Sequence, residues 1–295
     1  MSKTALGLSC ALAMPFRADG GLDLPRLVAH ARGVLAEGCG SVTAFGTTGE
    51  GPSLSLADRA AVLDAFASAG FDFARTVLGG VSACTVEDAA AQADLLYGAG
   101  CRAVLLAPPF YFKGVTDDGL FAWFAALFDR LGGRARDVIL YHIPSVTQAP
   151  LSLALVGRLK DAFPQVVVGV KDSSGDWTYT QALLESRPDL AVLVGDERDL
   201  ARAAARGAQG SISGLANLFP GTLLPLVAGR DDPGVGALVD EVLRFPVTPA
   251  VKALIAHRTG DPGWSRVRAP LVPLSEADAA WLAARLDTLF AAAPA

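Results

Sequence analysis

Short, continuously apolar runs alternate with stretches whose apolar residues recur every three or four positions over the first two thirds of the chain. The runs centre near Leu8, Val42, Val77, Val104, Ile139, Val168, Val192 and Ile212. Most are separated by about 25–35 residues, the length of a βα unit. Ala103–Leu106, Val138–Leu140 and Val166–Val168 hold no polar residue. A strand with one wet face would alternate, so these runs predict parallel strands buried on both faces. The stretches between them carry helix signals. Asp23 stands where a cap belongs and Pro25 falls in the first turn. Leu24, Leu27, Val28, Ala31, Val34 and Leu35 then mark one face, and Gly38 a stop. Ser55 with Asp58 forms a capping-box pattern before Val62, Leu63 and Phe66. Thr116 and two aspartates precede Leu120, Trp123, Phe124, Leu127 and Phe128. After Ile212 the alternation ends, and the remainder reads as helices broken by Pro225, Pro233, Pro246, Pro249 and Pro262. The pattern predicts an α/β protein: a closed (β/α)8 TIM barrel over 1–216 that carries the active site, and a C-terminal helical extension, 217–295, packed on it. An open doubly wound sheet is the competing arrangement. It usually brings a GxGxxG turn after its first strand, whereas this chain runs into Ala13-Met14-Pro15-Phe16.

Composition narrows the class. A length of 295 residues suits one barrel, and 52% hydrophobic against 19% charged residues excludes disorder as the main state. The 25 basic and 30 acidic residues leave a net charge of −5 with no basic stripe, which argues against a nucleic-acid partner. Cys10, Cys39, Cys84 and Cys101 lack CxxC spacing and lie among apolar or small residues, so they are expected as buried free thiols in a reducing compartment. The opening segment is too short and ill-flanked for a signal peptide, and no apolar stretch reaches the length of a membrane span. These features predict a cytoplasmic protein acting on small molecules.

In a barrel of this kind the chemistry sits at the C-terminal ends of the strands. Those ends read Gly46-Thr47-Thr48-Gly49-Glu50, Pro108-Pro109-Phe110-Tyr111, Tyr141-His142-Ile143-Pro144, Lys171-Asp172 and Gly195-Asp196-Glu197. Of five lysines, only Lys171 directly follows a strand-like apolar run, Val166–Val170. An ammonium there loses part of its hydration, which disfavours the charged form, and a neutral amine is the nucleophile that makes a Schiff base with a carbonyl. The position equally suits a lysine that closes a strand end or pairs with Asp172. Tyr141, ending the neighbouring strand, is placed to pass protons or simply to hold its hydroxyl at the barrel rim. Two glycines and two hydroxyls in the Gly46–Glu50 turn make a cradle for a carboxylate. His30, His142 and His257 have no paired spacing, which argues against a metal centre. His30 is expected on a surface or interface of the first helix, and His142 near the site.

Taken in order, these segments resemble the dihydrodipicolinate synthase / N-acetylneuraminate lyase family of class I aldolases. The resemblance runs from Ala13-Met14-Pro15-Phe16 through Gly46–Glu50, Pro109-Phe110-Tyr111, Tyr141–Ser145 and Val168–Asp172. It continues through Gly195-Asp196-Glu197, Gly210–Ser213 and Ala216-Asn217 to Pro249–Lys252. It implies a barrel with a helical extension, assembled as a homotetramer built as a dimer of dimers, with no cofactor or metal. It implies that Lys171 forms an imine with pyruvate or another 2-oxo acid, and that Tyr141 carries the proton. Thr47 would link Tyr141 to Tyr111 of a neighbouring subunit. Thr48, in the turn begun by Gly46, would hold the substrate carboxylate, and the main-chain carbonyl of Ile212 would face the site.

The chain also departs from the family pattern. Where the synthase branch has an arginine after its Asn-x-Pro segment, this chain has Val146. The interface segment reads Phe110-Tyr111-Phe112-Lys113-Gly114. Glu197 stands where sugar-acid members often have a hydroxyl-binding acid, and Ser213 is a second hydroxyl partner. These changes point to a lyase for a 2-keto-3-deoxy sugar acid or related hydroxylated 2-oxo acid, by carbon–carbon cleavage or dehydration. The alternatives are 4-hydroxy-tetrahydrodipicolinate synthase, from pyruvate and aspartate semialdehyde, a cofactor-dependent lyase, and a non-catalytic barrel.

Overall fold

The computed structural model describes residues 6–290. The first five residues, part of the segment read as too short for a signal peptide, lie outside that range, as does Lys3. Eight strands, β1 (Gly7–Ala11), β2 (Ser41–Ala44), β3 (Val77–Val81), β4 (Ala103–Leu106), β5 (Val138–His142), β6 (Val167–Asp172), β7 (Ala191–Val194) and β8 (Gly210–Ser213), close into one barrel. Every pair is parallel, and β8 returns to β1 with Gly7 opposite Gly210. The closed barrel is the predicted architecture, and each strand covers or adjoins its predicted centre. The continuous apolar runs are explained by two layers of packing. Leu78, Leu105, Ile139, Leu193 and Ile212 fill the barrel interior with Tyr141. A larger sheath, including Val42, Val104, Leu140, Val170 and Val192, lies between strands and helices.

The helix signals act as read. Asp23 accepts from the Arg26 N–H, Ser55 and Asp58 form the reciprocal box, and Thr116 accepts from Gly119. Each satisfies a backbone donor that a first turn leaves without a partner. The prolines behave differently from the expectation. Pro233 and Pro262 open their helices, and Pro249 falls in the first turn of Val247–Thr259, where no intrahelical N–H is lost. Pro225 lies inside the helix Pro220–Val227, which packs against β1 and the helix Glu197–Ala204. Helices Pro233–Val242, Val247–Thr259 and Glu276–Phe290 pack on one another. Among the described residues no helix is long and apolar enough to cross a membrane. Cys10, Cys39 and Cys101 are buried free thiols, but Cys84 is only half-buried, because it lies in the loop after β3 rather than in a strand.

Candidate active site

β5 and β6 set the centre of the site. Val138 pairs with Val167, but the ladder then skips one residue, so Ile139 faces Gly169 and Tyr141 faces Lys171. Without that irregularity Tyr141 would have faced Val170, and a shift of one residue sends a strand's side chains to the opposite surface. Lys171 therefore lies within β6 rather than just past it. It is buried, its Nζ donates to Tyr141 Oη at 3.2 Å, and it sits 4.4 Å from the centre of the Tyr141 ring. Thr47 Oγ1 lies 3.3 Å from the same phenolic oxygen. Asp172, the alternative partner for Lys171, instead accepts from the Ser174 N–H and the Thr180 hydroxyl.

Lys171, Tyr141, Thr47, Thr48, Ile212, Glu197 and Val146 all line one cavity of about 170 Å³ at the C-terminal mouth of the barrel. Gly46 lies instead beside Thr47 and Tyr141 in a neighbouring apolar cavity of about 210 Å³. Ser213 stands behind the wall: its hydroxyl donates to Glu197 and accepts from the Ala216 N–H. Glu197 is buried, and that burial pushes its carboxyl above the usual glutamate range against the pull of Ser213. Tyr111 lies beyond the end of β4 at Leu106, is 73% exposed, and packs edge-on against Phe112.

The turn carrying Thr47 and Thr48 is held from several sides. Phe45 and Glu50 both adopt left-handed backbone, φ 62° and 52°, a conformation that costs non-glycine residues about 1–3 kcal/mol. Buried Arg59 donates to the carbonyls of Gly51 and Gly80. Thr248 donates to the Thr47 carbonyl. Lys252, fully buried, donates to Glu50 at 2.6 Å and to the Met14 carbonyl, and the other Glu50 oxygen accepts from the Arg268 N–H. Burial pushes the Lys252 ammonium below the usual lysine range although Glu50 pulls it the other way. The Pro249–Lys252 segment thus reaches the site through this ion pair.

Other residues that local sequence left unweighted also shape the cavity. A Cβ on Gly195 would lie 2.0 Å from Ser173 Oγ and 3.1 Å from Lys171 Cε, so only glycine lets these side chains pass. Val239, Val242, Leu243, Val247 and Val251 form the outer wall. Their relation to the site depends on the path of the chain after β8, which no local motif encodes. His142 accepts from the Leu151 N–H and stacks on Tyr179, and burial lowers its pKa, so it acts as a structural residue beside the cavity. His30 is half-buried against Trp264 and Asn217, so it lies in an intramolecular contact rather than on an open surface.

The model of the dihydrodipicolinate synthetase family matches residues 4–288. The chain belongs to that family. A DapA-like lyase of uncharacterised activity from Chloroflexus aurantiacus is 34% identical, with 97% of each chain covered. A dihydrodipicolinate synthase from Agrobacterium tumefaciens is 53% identical, with a TM-score of 0.95 over 97% of this chain and 99% of that one. A chloride-inhibited dihydrodipicolinate synthase from Acinetobacter baumannii, solved with pyruvate, is 26% identical, with a TM-score of 0.85 over 97% and 99% of the two chains. Family members are class I aldolases and lyases, and this chain is an enzyme of the lyase class.

Proposed function

We propose that this dihydrodipicolinate synthetase family member is a lyase that works through an imine at Lys171. Its substrate is a hydroxylated 2-oxo acid with no second carboxylate. One observation carries the reading: of the described residues, Lys171 is the one cation lining the cavity, and it lies at hydrogen-bond distance from Tyr141. The amine attacks the C2 carbonyl, a carbinolamine forms, and water leaves to give an iminium. Tyr141 supplies the proton that leaves with that water, and its phenolate then accepts the proton of the C4 hydroxyl. The C3–C4 bond breaks, its electrons move to the iminium nitrogen, and an aldehyde departs. Protonation of C3 and addition of water release pyruvate and free Lys171. Thr48 and the adjoining main chain hold the C1 carboxylate, and Thr47 orients the phenol. Tyr111 completes the relay from a second copy of the chain, a reading supported by its exposure and by the apolar cavity beside Thr47 and Tyr141.

The synthase reading draws on the name of the Agrobacterium protein. It requires a cation for the carboxylate of aspartate semialdehyde. Val146 offers none. Lys113 is committed to the carbonyls of Phe110 and Thr147, and Arg198 to Asp196 and Asp240. Asp196 and Glu197 face the cavity instead, and a second carboxylate would be desolvated beside them without a partner.

Borohydride with pyruvate is expected to add a reduced pyruvyl group to the peptide carrying Lys171, and Lys171→Ala to abolish the label. Labelling of Lys113 or Lys160 would overturn the assignment. Tyr141→Phe is expected to lower kcat by about 10²–10⁴-fold with the fold intact. For substrate choice, kcat/KM for pyruvate release from a 4-hydroxy-2-oxo acid is expected to exceed that for condensation with aspartate semialdehyde, and Val146→Arg to narrow the gap. Efficient condensation by the unaltered enzyme would refute the substrate assignment.

A further inference from the structure

The inner and outer ends of the cavity differ in chemistry. Lys171, Tyr141, Thr47 and Thr48 crowd the inner end. The rest of the lining is largely aliphatic and includes Val146, Leu215, Val239, Val242, Leu243 and Val247. Three of these are open to solvent, Val146 by 56%, Leu243 by 49% and Val247 by 39%, so they present aliphatic surface to whatever enters. Of the acids at the mouth, Asp196 is engaged with Arg198 and Glu197 Oε1 with Ser213 and the Leu215 N–H, which leaves Glu197 Oε2 without a hydrogen bond among the described residues. Ser145 lines the cavity with no side-chain hydrogen bond among the described residues, as does Ser173, whose hydroxyl lies toward Lys171. These three groups can serve one or two hydroxyls near the reacting carbons, not a chain of them. A polyol tail laid along the aliphatic wall would lose water from several hydroxyls and regain few bonds, whereas a hydrocarbon tail would bury surface at no such cost.

We infer that, beyond the carbon bearing the hydroxyl, the substrate carries an apolar branched or aromatic tail. The natural class is then a 4-hydroxy-2-oxo acid derived from pyruvate and an apolar aldehyde, not a polyhydroxylated sugar acid. This deepens the imine reading above and rests on it. Apart from Val146 and Leu215, the aliphatic wall belongs to helices Pro233–Val242 and Val247–Thr259 and the residue Leu243 between them, so most of it lies on a part of the chain separate from β5 and β6.

The test runs the enzyme in the condensation direction with pyruvate and either isobutyraldehyde, benzaldehyde or glyceraldehyde, the 4-hydroxy-2-oxo acid product being measured by mass spectrometry. The apolar aldehydes are expected to exceed glyceraldehyde in kcat/KM by about 10-fold or more, the scale of discrimination in an apolar pocket. Leu243→Asn and Val247→Thr, both at partly exposed positions, are expected to move the ratio toward glyceraldehyde. Borohydride labelling of Lys171 by pyruvate is followed in each preparation. Labelling with a ratio that is flat, favours glyceraldehyde or ignores both variants would overturn the apolar-tail inference and leave the imine reading standing. Absence of labelling would bring down both.

Discussion

Two loops at the mouth of the barrel carry hydroxyls assigned to one relay, yet they are built in opposite ways. The turn after β2 bears Thr47 and is closed in by Arg59, Thr248, Lys252 and Arg268, with Glu50 only 2% exposed. The loop after β4 bears Tyr111 and projects it to solvent beside Phe112. A strained backbone persists only where its surroundings fix it, and the first loop has such surroundings. The second has aromatic surface without a cover. A residue carried over by resemblance thus means different things in the two loops: in the first its partners lie in the same chain, in the second the described residues give the Tyr111 hydroxyl no hydrogen bond.

The contrast is broken most directly at Lys252. Lys252→Met leaves the Glu50 carboxylate buried with its cation gone, and loss of one partner of a buried pair costs about 3–5 kcal/mol. Equilibrium denaturation is the measurement, and a cost below about 1 kcal/mol would show that Arg59 and the backbone hold the turn without the ion pair. Gly51→Ala comes next. Its Cβ would lie 1.9 Å from the Phe45 carbonyl oxygen, so the turn must shift. A loss of about 1–3 kcal/mol is expected, with a raised KM for pyruvate as Thr48 moves.

A smaller effect lies at the edge of the same clamp. Arg268 bonds to Asp58 at 2.8 Å and, with Ser55, holds its carboxyl down at about 2. The folded value lies below that of a free carboxylate, so the contribution is complete above about pH 4 and is lost as pH falls through about 2. The pair is partly solvated, and its worth is about 1 kcal/mol or less. Asp58→Asn should remove that part of the acid slope when denaturation midpoints at pH 4 and pH 2 are compared. The smallest stability change belongs to Tyr111→Ala, within about 0.5 kcal/mol for an exposed side chain. A drop in kcat with stability unchanged would place Tyr111 in the chemistry through a second copy. No change in kcat would remove it from the relay.

What was legible in the sequence follows from range. Strand cores, the caps at Asp23, Ser55 and Thr116, and the neighbouring strand ends of Tyr141 and Lys171 depend on residues close in the chain or on the order of βα units. The left-handed backbone of Phe45 has no local signal, because phenylalanine adopts it only under the contacts made by Arg59 and the close approach of Gly51. Pro249 reads as a break because local rules treat proline as a stop, while the first turn of a helix tolerates it; Pro225 lies past the first turn and is carried inside its helix. The aliphatic wall from Val239 to Val251 has no local signature, since nothing nearby tells which face meets the mouth and which the sheath.

The one-residue skip between Val138 and Ile139 has a consequence for how such a catalyst changes over time. The amine and the phenol are spaced by main-chain pairing, at the roughly 4.8 Å pitch of adjacent strands, and no loop has a vote in that distance. Most of the outer wall is contributed some seventy residues beyond Lys171. Mutation can therefore rewrite what the mouth accepts while Lys171 and Tyr141 stay in register. Laboratory evolution aimed at new acceptors should accumulate its useful changes near Leu243 and Val247 and leave β5 and β6 untouched.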